Sequence, residues 1–122
     1  MVLDHKLSDH QYVKLAGADL DGILRGKYVS AAKAKSIIKK GLGFCSVIFA
    51  WDCEDKCYEV PFSGWHTGYQ DLLAKIDPNT LRHVPWDNNI PFFLFDFWQN
   101  PNESASVCPR GLLRKQIESL SY

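Results

Sequence analysis

The sequence predicts an α+β domain in which a mixed, mostly antiparallel sheet is covered by a helix. Three observations predict this fold class. Short apolar or alternating segments recur between turn residues, which is typical of strands. Residues 31–40 are almost all helix formers, and a second helical pattern begins at Pro109. With 122 residues, of which 46% are apolar, the chain can bury one core.

The first half of the chain is predicted to form a hairpin, a helix and a third strand. Gly22 favours a tight turn because glycine tolerates positive φ. Ser30 is a suitable N-cap for the helix, and Gly41 ends it. The predicted elements are a strand at 12–19, a turn at 19–22, a strand at 23–29, a helix at 31–40 and a strand at 44–51.

The second half is predicted to begin with an irregular segment and to end in a helix. Residues 90–98 contain four of the seven phenylalanines, which indicates a central strand. Leu113, Ile117 and Leu120 share one side of the final helix. The predicted elements are an irregular segment at 52–70, strands at 71–76, 81–86 and 90–98, a polar loop at 101–106 and a helix from Pro109.

The charge balance excludes some classes of partner. Fourteen basic and fourteen acidic side chains cancel, so the chain lacks the net positive charge typical of nucleic-acid binding. No apolar run approaches the ~20 residues that span a bilayer, and the start of the chain is polar, so we expect a cytoplasmic protein without a membrane partner. Six basic residues lie between Arg25 and Lys40. They could bind phosphate or nucleic acid, or they could form a solvated surface balanced by the acidic stretch 52–59. The zero net charge favours the solvated surface.

The four cysteines allow three interpretations. Reduced thiols are favoured over disulfides, because no export signal is visible. Zinc would use Cys53, Cys57 and His66, but only the isolated Cys45 or Cys108 remains as a fourth ligand. We therefore expect no metal site in this chain.

Four segments of the chain form a series that matches one enzyme family. They are DLDGILRGK at 19–27, GLGF at 41–44, DPNTLR at 77–82 with Pro85 and Trp86 after it, and PRGLLR at 109–114. In this order, over about residues 12–120, they resemble segments of glutamine synthetases and their relatives. Each segment is weak evidence alone, and the four together are strong evidence.

The resemblance implies a β-grasp domain at 12–107, preceded by a polar lead at 1–11 and followed by a helix at 108–122 that links to a catalytic domain absent from this chain. In the family, ATP and Mg²⁺ or Mn²⁺ bind in that C-terminal domain, so no cofactor is expected here. The N-terminal domain is expected to contribute to the subunit interface of a homo-oligomeric ring and to place a loop over the active site. The resemblance thus implies a domain that is inactive alone, and leaves open whether the chain is itself an enzyme.

One departure from the family pattern concerns the nucleophile. Typical glutamine synthetases carry an F-D-G-S-S motif whose aspartate holds ammonium, and this chain has Phe44, Cys45 and Ser46 there. A thiol does not attract an ammonium ion as a carboxylate does at pH 7. The departure favours a bulkier amine over ammonia, as in the γ-glutamyl-amine and polyamine ligases of the family.

We expect an amine-side substrate site formed by aromatic faces and acids. The competing interpretation is that the tryptophans are packing anchors and the acids are solvated. The predicted site residues are Cys45, Ser46, Trp51, Asp52, Trp65 and His66, with Tyr69, Glu54, Asp55 and Glu59 nearby in sequence.

Two further expectations concern the final helix and the function. Cys108 replaces the family's usual aspartate, so we expect that helix to lose its best N-cap acceptor, at about 1 kcal/mol. The alternative to a ligase domain is a stand-alone, catalytically inactive β-grasp module that binds a partner or assembles.

Overall fold

A mixed seven-stranded sheet forms the centre of the molecule. The computed structural model describes residues 7–121. The strand order is β2-β1-β6-β4-β3, with β5 and β7 paired to β6. β1 and β6 are parallel and the other pairs are antiparallel, so the predicted α+β class is confirmed. The elements are β1 Tyr12–Ala18, β2 Leu24–Ser30, α1 Ala31–Lys40, β3 Leu42–Cys45, β4 Asp71–Ile76, β5 Arg82–Val84, β6 Ile90–Asn100, β7 Glu103–Ser104 and α2 Pro109–Leu120.

The core lies on the side of the sheet that α1 covers. Val13 and Leu15 of β1 are fully buried there, beside Phe93, Phe95 and Phe97 of β6. Alternation along a strand sends every second side chain to this side. The central position predicted for 90–98 is thereby confirmed.

The predicted turn and helix boundaries of the first half are also confirmed. The Asp19 carboxylate accepts hydrogen bonds from the backbone N–H groups of Asp21 and Ile23, both at 2.9 Å, and Gly22 has φ +79°. Ser30 Oγ accepts from the N–H of Lys33 at 3.2 Å, which caps α1. Gly41, with φ 75°, ends the helix.

The strand predicted at 44–51 is wrong over most of its length. The observed strand, β3, ends at Cys45, and Ser46–Phe49 then forms a turn of 3₁₀ helix. Ile48 and Phe49 are both buried, and consecutive side chains cannot both point into the core from a strand. The loop predicted at 101–106 likewise contains the short strand β7, which pairs with β6.

The final helix begins at Pro109 as predicted, and a thiol caps it. Cys108 is buried and is the N-cap residue. Its sulfur accepts from the N–H of Gly111 at 3.4 Å and from the N–H of Phe97 at 3.3 Å. The thiol sulfur, a weak acceptor, thus caps the helix in place of a carboxylate.

α2 is attached to the sheet by charged side chains. Arg110 donates from Nε to Asp96 Oδ1 and from an Nη to Asp77 Oδ2, both at 2.7 Å. Arg114 adds a contact of 2.5 Å to the other oxygen of Asp96. No residue of α2 is buried. Within the described part of the chain, no helix is both long and apolar enough to cross a membrane.

Candidate functional site

A hollow of about 430 Å³ lies between the start of β2 and the segment that follows α1. Two predicted site residues, Cys45 and Trp51, line it, and a cation that was not predicted, Arg25, lies beside them. Its complete lining is Ile23, Leu24, Arg25, Gly26, Phe44, Cys45, Val47, Ile48 and Trp51. The hollow is therefore mostly apolar, with one guanidinium and one thiol, which is typical of a small-ligand site.

Arg25 connects the β1–β2 hairpin to the loop at 51–58. Its Nε donates to Asp19 Oδ2 at 2.8 Å, and its two Nη atoms reach Asp55 Oδ1 at 2.5 Å and the carbonyl oxygen of Asp52 at 3.1 Å. The guanidinium carbon lies 5.1 Å from the ring centroid of Trp51. These contacts place the one cation of the hollow against its aromatic wall.

Asp19 anchors this arrangement from the sheet side. Burial by itself raises the pKa of the Asp19 carboxyl, but hydrogen bonds from Arg25 and from the N–H groups of Ile23 and Asp21 outweigh burial, so its pKa lies below the ordinary value. The carboxylate is therefore charged at neutral pH and holds Arg25 in place.

Asp52 shapes the 51–58 loop from within. Its carboxylate accepts from the N–H groups of Lys56 and Glu54, both at 2.9 Å, and from the Tyr58 hydroxyl at 2.8 Å. These hydrogen bonds, that from Lys56 first, lower the pKa of Asp52. The carboxylate thus faces its own loop, and Asp52 reaches Arg25 only through its backbone carbonyl.

Ser46 lies beneath the site. Its side chain is fully buried, its Oγ lies 2.9 Å from Ser63 Oγ, and its N–H donates to the carbonyl of Gln70 at 3.0 Å. These contacts tie the 3₁₀ turn to the far end of the irregular segment. A role of Ser46 in ligand binding stays a prediction.

Trp65 and His66 form a second group on the surface of the irregular segment. Trp65 is 81% exposed, and its ring meets that of Tyr69 edge-on with centroids 5.1 Å apart. Glu59 Oε1 accepts from the Trp65 N–H at 2.9 Å and lies 3.7 Å from His66 Nδ1. The carboxylate and the exposed aromatic face suit a cation.

Tyr69 links the two groups. The Cys45 thiol donates to the carbonyl oxygen of Tyr69 at 3.3 Å, and the Cys57 sulfur lies 3.7 Å from the Tyr69 hydroxyl. The hydrogen bond with Cys57 is the main cause that raises the pKa of Tyr69. Of the six predicted site residues, Cys45 and Trp51 line the hollow, Ser46 and Asp52 adjoin them in sequence, and Trp65 and His66 form the separate group.

The sequence carried a signal for Arg25 that the prediction did not use. Gly17 is opposite Arg25 in the hairpin, and Asp19 lies two residues further on, so Asp19 and Arg25 project from the same side. A carboxylate and a guanidinium in that relation form an ion pair. Arg25 was instead counted within a positive block.

The metal and phosphate alternatives gain no support from the geometry. Cys53 and Cys57 are exposed free thiols. Among residues 7–121, no three His, Cys, Asp or Glu side chains are grouped so as to hold a metal ion. Arg25, the first cation of the positive block, is neutralised by Asp19 and Asp55.

Comparison with known proteins gives close relatives. No family model matches the chain. The type-1 glutamine synthetase 2 of Dictyostelium discoideum is 52% identical over 114 residues, which are 93% of this chain and 22% of that protein. The glutamate–isopropylamine ligase of a Pseudomonas species is 34% identical over 87% of this chain and 24% of its own length. The chain belongs to the glutamine synthetase family.

Glutamine synthetase structures also share the fold. A crystal structure of a glutamine synthase homolog superposes with a TM-score of 0.76 at 23% identity, over 89% of this chain and 26% of that one. The cryo-EM structure of Plasmodium falciparum glutamine synthetase gives 0.70 at 18% identity, over 98% and 22%. The chain thus spans about a quarter of the length of its glutamine synthetase relatives and corresponds to their N-terminal domain.

Proposed function

We propose that this chain is the N-terminal β-grasp domain of a cytoplasmic, ATP-dependent ligase that joins glutamate to an amine. The domain occupies 12–107, and the segment from 108 leads into the catalytic domain. We propose that it is inactive alone. ATP and Mg²⁺ or Mn²⁺ belong to the remainder of the family fold, where they supply and stabilise the transferred phosphoryl group.

The observation that carries this proposal is the exposed apolar stripe of α2. Arg110 and Arg114 attach the helix to Asp96 of the sheet, and the apolar residues of the helix are left exposed. Leu113, Ile117 and Leu120 are 61%, 57% and 74% exposed. An exposed apolar stripe of this kind marks a surface that packs against another protein surface. The catalytic domain is the covering surface that we propose.

A second apolar surface supports a role in assembly. On the side of the sheet opposite α1, a groove of about 520 Å³ runs over Ala16, Gly26 and Phe92. Tyr28 and Trp86 flank it and are 56% and 87% exposed. Side chains of this kind are enriched at protein interfaces. We propose that this groove faces the neighbouring subunit of a homo-oligomeric ring.

The hollow beside Cys45 supports an organic amine as the nucleophile. Its lining is apolar except for the Cys45 thiol and a guanidinium that is already paired with carboxylates. Such a surface stabilises the alkyl part of an amine better than it stabilises ammonium. Trp65, Tyr69 and Glu59 offer an aromatic and anionic entrance for the charged amine.

The test is a chimera in which this chain replaces the matching N-terminal part of the Dictyostelium relative. We expect ATP-dependent formation of a γ-glutamyl amide that is faster with isopropylamine or ethanolamine than with ammonia. Cys45→Asp should shift the preference towards ammonia, because the carboxylate is charged at pH 7. A folded chimera that makes no amide would refute the ligase proposal, and one that prefers ammonia would refute the organic amine.

A further inference from the structure

We infer that Arg25 is the positioning residue of the hollow: its guanidinium holds the loop at 51–58 against the β1–β2 hairpin and so sets the opening beside Cys45. The inference deepens the proposed function and rests on it for the role of the hollow. The contacts from which we infer this role of Arg25 are seen in the structure and do not depend on the proposed ligase activity.

Arg25 joins two parts of the chain, its own hairpin and the loop at 51–58. Asp19 at 2.8 Å belongs to the hairpin turn, Asp55 at 2.5 Å belongs to the loop, and the Asp52 carbonyl at 3.1 Å lies at the base of the loop. Trp51, which the guanidinium covers, is a wall of the hollow. The Arg25 side chain is 16% exposed and that of Asp19 is fully buried, so their contact is shielded from water, whereas the Asp55 side chain is 71% exposed.

The sheet side of the contact is rigid. Asp19 is fully buried and is held by two backbone N–H groups as well as by Arg25. Arg25 itself stands in β2, opposite Gly17 of β1. The hairpin therefore presents the guanidinium at a fixed position.

The loop side is a separate unit with its own internal bonds. The Asp52 carboxylate closes it through Glu54, Lys56 and Tyr58, and Trp51 pairs with Cys57. Within residues 7–121, every hydrogen bond and ion pair between the hairpin and this loop is made by Arg25. Without Arg25, the loop keeps its own shape and loses its attachment.

Only a guanidinium can make these contacts together. Its planar fork donates in three directions at once, to Asp19, Asp55 and the Asp52 carbonyl, and its flat face stacks on Trp51. A lysine keeps the charge but offers a single point of contact. We therefore expect Arg25→Lys to release the loop nearly as far as Arg25→Gln does.

The cysteines of the chain provide the probe. Cys45 is half-buried and lines the hollow, and Cys53 is exposed. Cys108 is buried at the N-terminus of α2. Alkylation by iodoacetamide, followed at each cysteine by mass spectrometry, reports opening of the hollow at Cys45 and global unfolding at Cys108. Cys53 calibrates the reagent.

In Arg25→Gln, we expect Cys45 to react about threefold to tenfold faster than in the wild type, with the rate at Cys108 unchanged. Asp55→Asn should give a smaller increase, because it keeps the Asp19–Arg25 pair. It also serves if Arg25→Gln does not fold. Lys39→Gln, an exposed cation at the end of α1, is the matched control and should change neither rate.

Two results would overturn the inference. An unchanged rate at Cys45 in both Arg25→Gln and Asp55→Asn would mean that Arg25 does not hold the loop. Equal increases at Cys45 and Cys108 would mean that Arg25 acts only on overall stability. The labelling needs neither ATP nor amine, so failure of the ligase test leaves this result unaffected, and the converse also holds.

Discussion

The two helices differ in what holds them to the sheet. α1 packs with its apolar side inward, where Ala34 is fully buried and Ile37 is 4% exposed, and its lysines face solvent. α2 is attached through Arg110 and Arg114 to Asp96, buries none of its own residues, and leaves Ile117 57% exposed. The chain thus contains one helix that completes its own core and one whose apolar side has no cover within the described residues.

This difference separates two kinds of amphipathic helix that the same sequence pattern describes. Burial of apolar area stabilises the packing of α1 against the sheet. α2 is held at its first two turns by ion pairs and hydrogen bonds, which fix its direction without covering its apolar side. We interpret α1 as part of the core of this domain and α2 as a surface that packs against a further domain.

The largest effect is expected from a matched pair of isoleucines. Ile37→Ala should lower the free energy of unfolding by about 2–5 kcal/mol, because a core cavity forms. Ile117→Ala should change it by less than about 0.5 kcal/mol in this chain. Urea unfolding followed by tryptophan fluorescence measures both. Equal losses would show that the two helices are buried alike.

The next effect tests the attachment of α2. Asp96→Asn removes the charge that Arg110 and Arg114 share, and should lower the stability of α2 docking by about 1–3 kcal/mol. Amide hydrogen exchange in α2 should become faster, while that in α1 stays slow. Glu118→Gln, an exposed acid on the same helix, is the control. If α2 stays equally protected in both variants, the ion pairs do not hold it.

The smallest effect concerns the sulfur cap of α2. Cys108→Ala removes the acceptor for Gly111 and Phe97 and should lower the free energy of unfolding by about 1 kcal/mol. Cys53→Ala, at an exposed position, should be neutral. The pair is compared by thermal unfolding under reducing conditions. A neutral Cys108→Ala would mean that the sulfur does not cap the helix.

Local signals predicted most of the fold. Ser30 and Gly41 fix the ends of α1 by capping and by positive φ, and both act within one turn of the helix. The 3₁₀ turn after β3 was missed, because a continuous apolar run has no period that distinguishes a strand from a tight helical turn. β7 has two residues, too few for a pattern.

The candidate site was predictable in part. Cys45 and Trp51 were named from their place in the family pattern and from residue type, and both line the hollow. Ser46 lies beneath it instead, because the 3₁₀ turn directs its hydroxyl to Ser63. Trp65 stands apart because its position depends on the irregular segment, whose path no periodicity predicts.

The comparison of the two helices is tested most directly by one substitution in two contexts. Ile117→Asp should leave the stability of this chain unchanged, since the side chain is exposed. In the chimera with the Dictyostelium relative, the same substitution should lower amide formation by more than about tenfold, because a buried, unpaired carboxylate is costly. Lys115→Asp, on the same helix, is the control. Full activity of the Ile117→Asp chimera would contradict the account, because the apolar side of α2 would then face no catalytic domain.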